Sequence, residues 1–95
     1  MAITFEWDEQ KNLDNFTKHG IDFETAKEIF EDPLVYRFIE RIEDGEERWH
    51  AYGIVNGFTI LMAVYTTTDD VNNEVIRIIS ARKASASERR LYANG

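Results

Sequence analysis

The chain has 95 residues, and its 18 acidic and 11 basic side chains give a net charge of −7. This length predicts a single domain, residues 1–95, whose folding removes roughly two-thirds of the unfolded surface from water. The acidic balance argues against a uniformly basic nucleic-acid-binding domain, and the lack of cysteine excludes disulfide bonds and thiolate metal sites.

The first third of the sequence predicts a strand followed by two helices. Residues 3–7 alternate between apolar and polar side chains, which is typical of a half-buried strand. Asp8 can cap a first helix, and Gly20 can end it in the left-handed conformation. Asp22 can cap a second helix, which Pro33 ends.

The remainder predicts four strands and a final helix. The strands are indicated by alternating or β-branched residues at 34–42, 48–55, 58–67 and 75–79. Asp44–Gly45 and Asn56–Gly57 favour hairpin turns, and the polar residues 67–74 are predicted to form a loop. Ser85 and Glu88 have the spacing of a capping box at the start of the last helix.

These elements indicate an α+β fold with the order β-α-α-β-β-β-β-α. We expect a mostly antiparallel sheet of about five strands, two N-terminal helices on one face and a short C-terminal helix. The other face would then be partly open. According to the strand register, it would carry Arg48, His50, Arg77 or Arg82.

Several classes of protein are not indicated. The N-terminus resembles no secretory signal, and the longest apolar run, residues 60–65, is much shorter than the roughly 20 residues that span a bilayer. We therefore expect a cytoplasmic protein without membrane contact. His19 and His50 show no ligand spacing and the glycines are scattered, so neither a metal site nor a cofactor is expected.

Charge is unevenly distributed along the chain. From Ile76 to Gly95 there are five basic residues and one acidic residue, a balance of +4, so residues 1–75 carry −11. Within the basic segment, Arg77 lies in a β-branched run and needs either an internal ion pair or a ligand. Lys18 and His19 form a second basic group, which could simply stabilise the negative end of a helix dipole.

If these cations converge on the open face, the expected ligand is anionic. Guanidinium groups match phosphate oxygens bidentately. Trp49, Tyr52 or Tyr92 could add a surface on which an unpaired base stacks. The pattern therefore suggests RNA.

Three segments, residues 5–33, 47–49 and 77–92, closely resemble the BrnT toxins of type II toxin–antitoxin modules. The resemblance covers nearly the whole chain. It implies a fold similar to the RelE-like ribonuclease toxins and RNA cleavage that halts translation. It also implies a hetero-oligomer with a BrnA-type antitoxin, for which two toxins with two antitoxins is one arrangement. Operator DNA would be bound only through the antitoxin.

Through this resemblance, the family's motif residues fall on Lys18, His19, Arg48, Arg77, Ser80, Arg82, Glu88 and Tyr92. The predicted catalytic residues are Lys18, His19, Arg48, Arg77 and Arg82. The predicted RNA contacts are Ser80, Lys83, Glu88, Arg89 and Tyr92. His50 matches no motif and is not among the predicted site residues.

Metal-free RNA cleavage needs a proton acceptor, a proton donor and cations for the phosphorane. The arginines would supply the cations. Imidazole titrates near neutral pH, so His19 is the first choice for proton transfer, with Lys18 or Tyr92 second.

Two other readings remain open. The arginine-lined face could belong to a binding module that holds an acidic partner or a nucleic-acid backbone without breaking a bond. Alternatively, the arginines could pair only with acids of the same domain.

Overall fold

The computed structural model describes residues 2–95, and their elements follow the predicted α+β order. The strands are β1 (Ala2–Glu6), β2 (Tyr36–Glu43), β3 (Glu46–Val55), β4 (Thr59–Asp70) and β5 (Asn73–Lys83). The helices are α1 (Glu9–His19), α2 (Phe23–Ala26), which continues as a 3₁₀ helix (Lys27–Glu31), and α3 (Ala86–Asn94). In residues 2–95, no helix has the length and apolar character that crossing a membrane requires.

Within the described chain, the strands form a five-stranded sheet in the order β1-β5-β4-β3-β2. β1 runs parallel to β5, and the other neighbours are antiparallel. β4 lies at the centre of the sheet, as its sequence indicates. Its apolar residues occur on both faces, which is typical of a strand that has neighbouring strands on both sides and is covered on both faces. The prediction of a mostly antiparallel sheet is confirmed.

The second predicted helix differs in detail, because α2 is a single turn and tightens into the 3₁₀ helix. The tighter segment places Ile29 fully in the core. It lies so close to β3 that a Cβ added at Gly53 would be 2.7 Å from the Ile29 carbonyl oxygen. Glycine is therefore required at position 53 for the second helix to pack on the sheet.

The predicted loop at residues 67–74 is wrong. β4 and β5 continue through this segment and pair from Thr67 with Ile76 to Asp70 with Asn73, leaving a tight turn. The threonines have high strand propensity. Glu74, moreover, is 6 % exposed and bonded within the fold, which a solvated loop would not allow.

The main core lies between the sheet and the N-terminal helices. Its largest fully buried side chains are Tyr65, Phe23, Ile29, Ile76 and Ile78. Phe30 packs edge-on against Tyr65, with ring centroids 5.1 Å apart. These contacts cover one face of the sheet with the N-terminal helices. The opposite face is not covered by these helices.

A polar cluster closes one end of this layer. Arg37 pairs with the core residue Ala51 and so lies on the helix-covered side. The alternation in sequence had placed Arg41 on the same side, but a bulge between Ile39 and Arg41 turns Arg41 to the opposite face. Arg37 forms a bidentate ion pair with Glu74 and donates a hydrogen bond to the Tyr65 hydroxyl. Burial opposes the charge of Arg37, but these bonds outweigh it and raise the pKa of the guanidinium.

Candidate active site

The sheet face opposite α1 and α2, here called the open face, collects most of the arginines singled out in the sequence. Cross-strand pairing aligns His50 with Val64 and Val64 with Ser80. In the same way Thr66 pairs with Arg77, and Met62 pairs with Arg82. Side chains of paired residues, and of residues two apart, share a face. The open face therefore carries Arg48, His50, Thr66, Arg77, Ser80 and Arg82.

An irregularity in β5 makes this grouping possible. Val64 pairs with Ser80 while the next residue, Tyr65, pairs with Ile78, so Ile79 is an extra residue in the strand. Without such a bulge, Arg77 and Ser80, three positions apart, would point to opposite faces. The bulge places Ser80 and Arg82 on the same side as Arg77.

α3 packs over one end of the open face and holds Arg82. Tyr52 and Met62 are only 3 % exposed beneath it. The Glu88 carboxylate accepts hydrogen bonds from the Arg82 guanidinium at 2.8 and 2.9 Å and from the Ser85 backbone N–H at 2.8 Å, completing the predicted capping box. Pairing with Arg82, assisted by Ser85 and opposed by burial, lowers the pKa of Glu88 to about 2. Glu88 is therefore a carboxylate at neutral pH and orients Arg82.

Arg48 and Arg77 lie at the other end of the face, and both have acidic neighbours. The Arg77 guanidinium is 2.9 Å from Glu6, and its side chain is 46 % exposed, so this ion pair is at the surface and not internal. Arg48 lies 3.4 Å from Glu43 and 21 % of its side chain is exposed. Its Nε is buried and finds no hydrogen-bond partner among residues 2–95. Surface pairs of this kind contribute only about 0–1 kcal/mol each, so phosphate oxygens can replace the acids.

His50 is the residue that sequence motifs missed and the sheet register reveals. It projects from β3 between Phe38, whose ring centroid is 5.6 Å away, and Val64. Burial is the main effect that lowers the pKa of His50; Glu40 and Glu88 oppose this shift and Arg82 and Arg41 add to it. In the sequence, Arg48 and His50 are two residues apart in a predicted strand, and this spacing indicates that they share a face.

Lys18 and His19 lie beside the open face. β1 ends at Glu6, so the edge of β5 beyond Arg77 has no strand next to it within residues 2–95. α1 takes this place and leaves a cleft of about 280 Å³, lined by Lys11, Asp14, Asn15, Lys18, His19, Ile79 and Ser80. Ser80 therefore belongs both to the open face and to the cleft that contains the two predicted proton-transfer residues.

The other predicted RNA contacts are less central. Lys83 pairs with Leu61 and so points to the helix-covered side of the sheet. Arg89 donates a hydrogen bond to the Ala84 carbonyl. The Tyr92 hydroxyl donates to Asp32, and burial together with this bond raises the pKa of Tyr92 to about 12. These three roles in RNA binding stay predictions.

The site thus offers fixed cations around a central strand, with one imidazole on the face and another beside it. Such a set can neutralise a phosphate and move protons on either side of it. No group of three or more histidine or acidic side chains within residues 2–95 is arranged to hold a metal ion.

Comparison with known proteins agrees with this picture. The family model for "Ribonuclease toxin, BrnT, of type II toxin-antitoxin system" matches residues 7–88. The 1.1 Å crystal structure of the Brucella abortus ribonuclease toxin BrnT is similar, with 30 % sequence identity and a TM-score of 0.63 over 90 % of this chain and 97 % of that one. No curated protein matched the chain by sequence. Because the family model covers most of the chain, the protein belongs to the BrnT family of ribonuclease toxins of type II toxin–antitoxin systems.

Proposed function

We propose that the open face binds RNA and cleaves it without a metal ion. The observation that carries the proposal is the strand register, which brings Arg48, Arg77 and Arg82 onto one face around Val64 and Thr66. Adjacent strands are about 4.8 Å apart, so Arg48 and Arg77 start about 10 Å from each other on either side of β4. Their long side chains can approach one phosphate from two directions.

The reaction needs no covalent intermediate with the protein. The 2′-hydroxyl of the RNA loses its proton and attacks the adjacent phosphorus, and the 5′-oxygen departs with a proton. Arg48, Arg77 and Arg82 stabilise the charge on the phosphorane, while His19, with Lys18 as second choice, transfers a proton at the cleft edge. Ser80 lies between these groups and can donate a hydrogen bond to the substrate. Electrostatic stabilisation is often the largest single contribution in such reactions.

Cleavage of messenger RNA would inhibit translation, and we place this action in the cytoplasm. We further propose neutralisation by a BrnA-type antitoxin in a hetero-oligomer, with two toxins and two antitoxins as one arrangement. Operator DNA would be bound by the antitoxin. The family supports an antitoxin partner. The charge of −11 on the first 75 residues supports a basic antitoxin surface.

A non-catalytic binding module is the second candidate, and a specific observation favours it. Arg48, Arg77 and Arg82 each already have a carboxylate neighbour, as they would in a face that exchanges internal acids for those of a partner. Arginine stays charged at ordinary pH, so this binding would be nearly flat between pH 5 and 8. Cleavage through a histidine would change over the same range.

The test is cleavage of bulk cellular RNA by the purified chain in the presence of a chelator. We expect fragments that end in 2′,3′-cyclic phosphate. Arg82→Ala should lower the rate by about 10²–10³ because it removes a cation from the phosphorane. Intact RNA with the wild-type chain, or unchanged cleavage by a folded Arg82→Ala protein, would reject this assignment.

Glu88→Gln is the matched control for that experiment. It removes the acidic partner of Arg82 but keeps the arginine and a side chain that suits the capping box. The thermal stability of both variants is measured as well, so that unfolding caused by the loss of the Arg82–Glu88 pair can be recognised in either variant. Because Glu88 orients Arg82 and is itself a predicted RNA contact, Glu88→Gln should also slow cleavage, but by less than Arg82→Ala does. A larger loss of cleavage in Arg82→Ala than in Glu88→Gln, at similar thermal stability, assigns the difference to the guanidinium.

A further inference from the structure

The sheet register places an imidazole on each side of the Val64–Ser80 pair. His50 projects from β3 on one side. His19, at the end of α1, lines the cleft with Ser80 on the other side. Two strand spacings separate His50 from Ser80, about 10 Å between their Cα atoms, which is enough room for one phosphate between the two rings. Neither ring forms a hydrogen bond with another side chain within residues 2–95.

His50 is embedded among the groups that would hold this phosphate. It lies two residues from Arg48 on β3, next to Phe38 on β2, and near the Arg82–Glu88 pair. The titratable or charged groups that face it from the surrounding elements are Glu40 and Arg41 on β2, Arg48 and Tyr52 on β3, Arg82 on β5 and Glu88 on α3. On β4 its neighbour is the uncharged Val64. Three arginines and two carboxylates thus surround the ring, an excess of one positive charge.

We propose that His50 takes the proton from the attacking 2′-hydroxyl and that His19 gives a proton to the departing 5′-oxygen. The proposal rests on RNA cleavage at the open face and adds the second proton-transfer residue. The 2′-oxygen–phosphorus bond forms and the phosphorus–5′-oxygen bond breaks, giving a 2′,3′-cyclic phosphate and a 5′-hydroxyl. His50 ends protonated and His19 neutral, and exchange of protons with water restores both.

The assignment of roles follows from the two environments. Burial disfavours the protonated ring of His50, so at neutral pH it is mostly the neutral form that can accept a proton. His19 is exposed at the end of α1 and lines the cleft with Ser80, where water can resupply the proton that it donates. The half-buried ring of His50 therefore suits the base, and the exposed ring of His19 suits the acid.

The test uses a substrate that needs no acid. The cleavage position is first mapped on a mixed-sequence oligoribonucleotide, and the 5′-oxygen there is then replaced by sulfur, which departs without protonation. We expect His50→Gln and His19→Gln each to slow cleavage of ordinary RNA by about 10²–10⁴. The sulfur substrate should restore the rate of His19→Gln but not that of His50→Gln.

Two further measurements separate proton transfer from binding and folding. Binding of 2′-O-methyl RNA, which cannot be cleaved, should be nearly unchanged in His50→Gln. In the wild-type chain, the cleavage rate should rise with pH over the same range in which NMR shows the His50 ring losing its proton. This comparison needs only the wild-type protein. His50→Gln should lack this rise.

These measurements test the role of His50 separately from the proposed RNA cleavage. Wild-type rates in His50→Gln, recovery of His50→Gln with sulfur, a parallel loss of RNA binding, or a ring titration that does not match the rate profile would overturn the role of His50. Failure of the wild-type chain to cleave either substrate would instead reject the proposed function itself. Cleavage by the wild type but not by Arg82→Ala, together with full activity of His50→Gln, would reject His50 alone.

Discussion

The Glu88 carboxylate joins the open face to α3 through Arg82, so its charge should affect stability in a defined pH range. Its pKa in the folded chain is about 2, below the usual value near 4.3, because of the bond to Arg82. The stabilisation is therefore complete above about pH 4.5 and is lost as the pH falls toward 2. Glu88→Gln should lower the free energy of unfolding by about 1–2 kcal/mol at pH 7, allowing for the partly exposed Arg82.

Urea unfolding at pH 7, 4 and 2.5 checks this prediction. The difference in unfolding free energy between the wild-type and Glu88→Gln proteins should be much smaller at pH 2.5 than at pH 7, because pH 2.5 lies well below the usual pKa of glutamate and close to the folded pKa of about 2. Parallel pH profiles for the two proteins would show that the Arg82–Glu88 pair contributes nothing to stability.

The Arg37–Glu74 pair is the corresponding feature of the helix-covered side, and it should behave as a unit. Glu74 is 6 % exposed, so Arg37→Met would leave a buried carboxylate without its cation. We expect a loss of about 2–4 kcal/mol. The double variant Arg37→Met/Glu74→Leu should recover most of that loss in urea unfolding, whereas purely additive losses would refute the coupling.

Asn15 fixes α1 against β5 and so determines where Lys18 and His19 lie. Its side-chain amide donates to the carbonyls of Ile21 and Ala81 at 2.8 and 2.9 Å, and its oxygen accepts from the Ala81 N–H at 3.0 Å. It therefore replaces the neighbouring strand that β5 lacks once β1 has ended. Asn15→Ala should cost about 2–3 kcal/mol, because two backbone groups of Ala81 lose buried partners.

Hydrogen exchange at the Ala81 amide provides the local readout for α1. Protection there should fall in Asn15→Ala by more than the global stability change explains. Gln10→Ala, on the exposed side of the same helix, is the control and should change neither quantity. Equal effects of the two variants would contradict the anchoring role of Asn15.

The charge asymmetry of the whole chain predicts how RNA binding depends on salt. Binding through the charges of Arg48, Arg77 and Arg82 should release about three counterions, which for single strands gives a slope of about −2 in log affinity against log salt. Each further cation that contacts a phosphate, such as the predicted contacts Lys83 and Arg89, would make the slope steeper by about 0.7. Arg82→Ala should make the slope shallower by about 0.7.

Binding of 2′-O-methyl RNA between 50 and 200 mM salt measures that slope. Lys27→Ala is a matched control, since Lys27 lies on the 3₁₀ helix and pairs with Glu24 on the helix-covered side. A slope that Lys27→Ala changes as much as Arg82→Ala does would place RNA on another surface.

The sequence by itself determined the order of elements, the central place of the apolar strand at residues 58–67 and the capping box at Ser85. These features depend on local preferences: side-chain period, hydrogen bonds to nearby backbone groups and turns that glycine or asparagine allows. The resemblance to the toxin family also belongs to the sequence, and the comparisons confirmed it.

Only the tertiary structure decided which charges meet. The bulges after Ile39 and around Ile79 change the face of every later side chain, and neither is marked by a glycine or another local signal. They separate Arg37 from Arg41, bring Ser80 and Arg82 to Arg77, and so create the surface on which His50 stands among arginines. Register is set by packing across strands that are distant in the chain, and so the composition of the candidate site could not be predicted from local sequence.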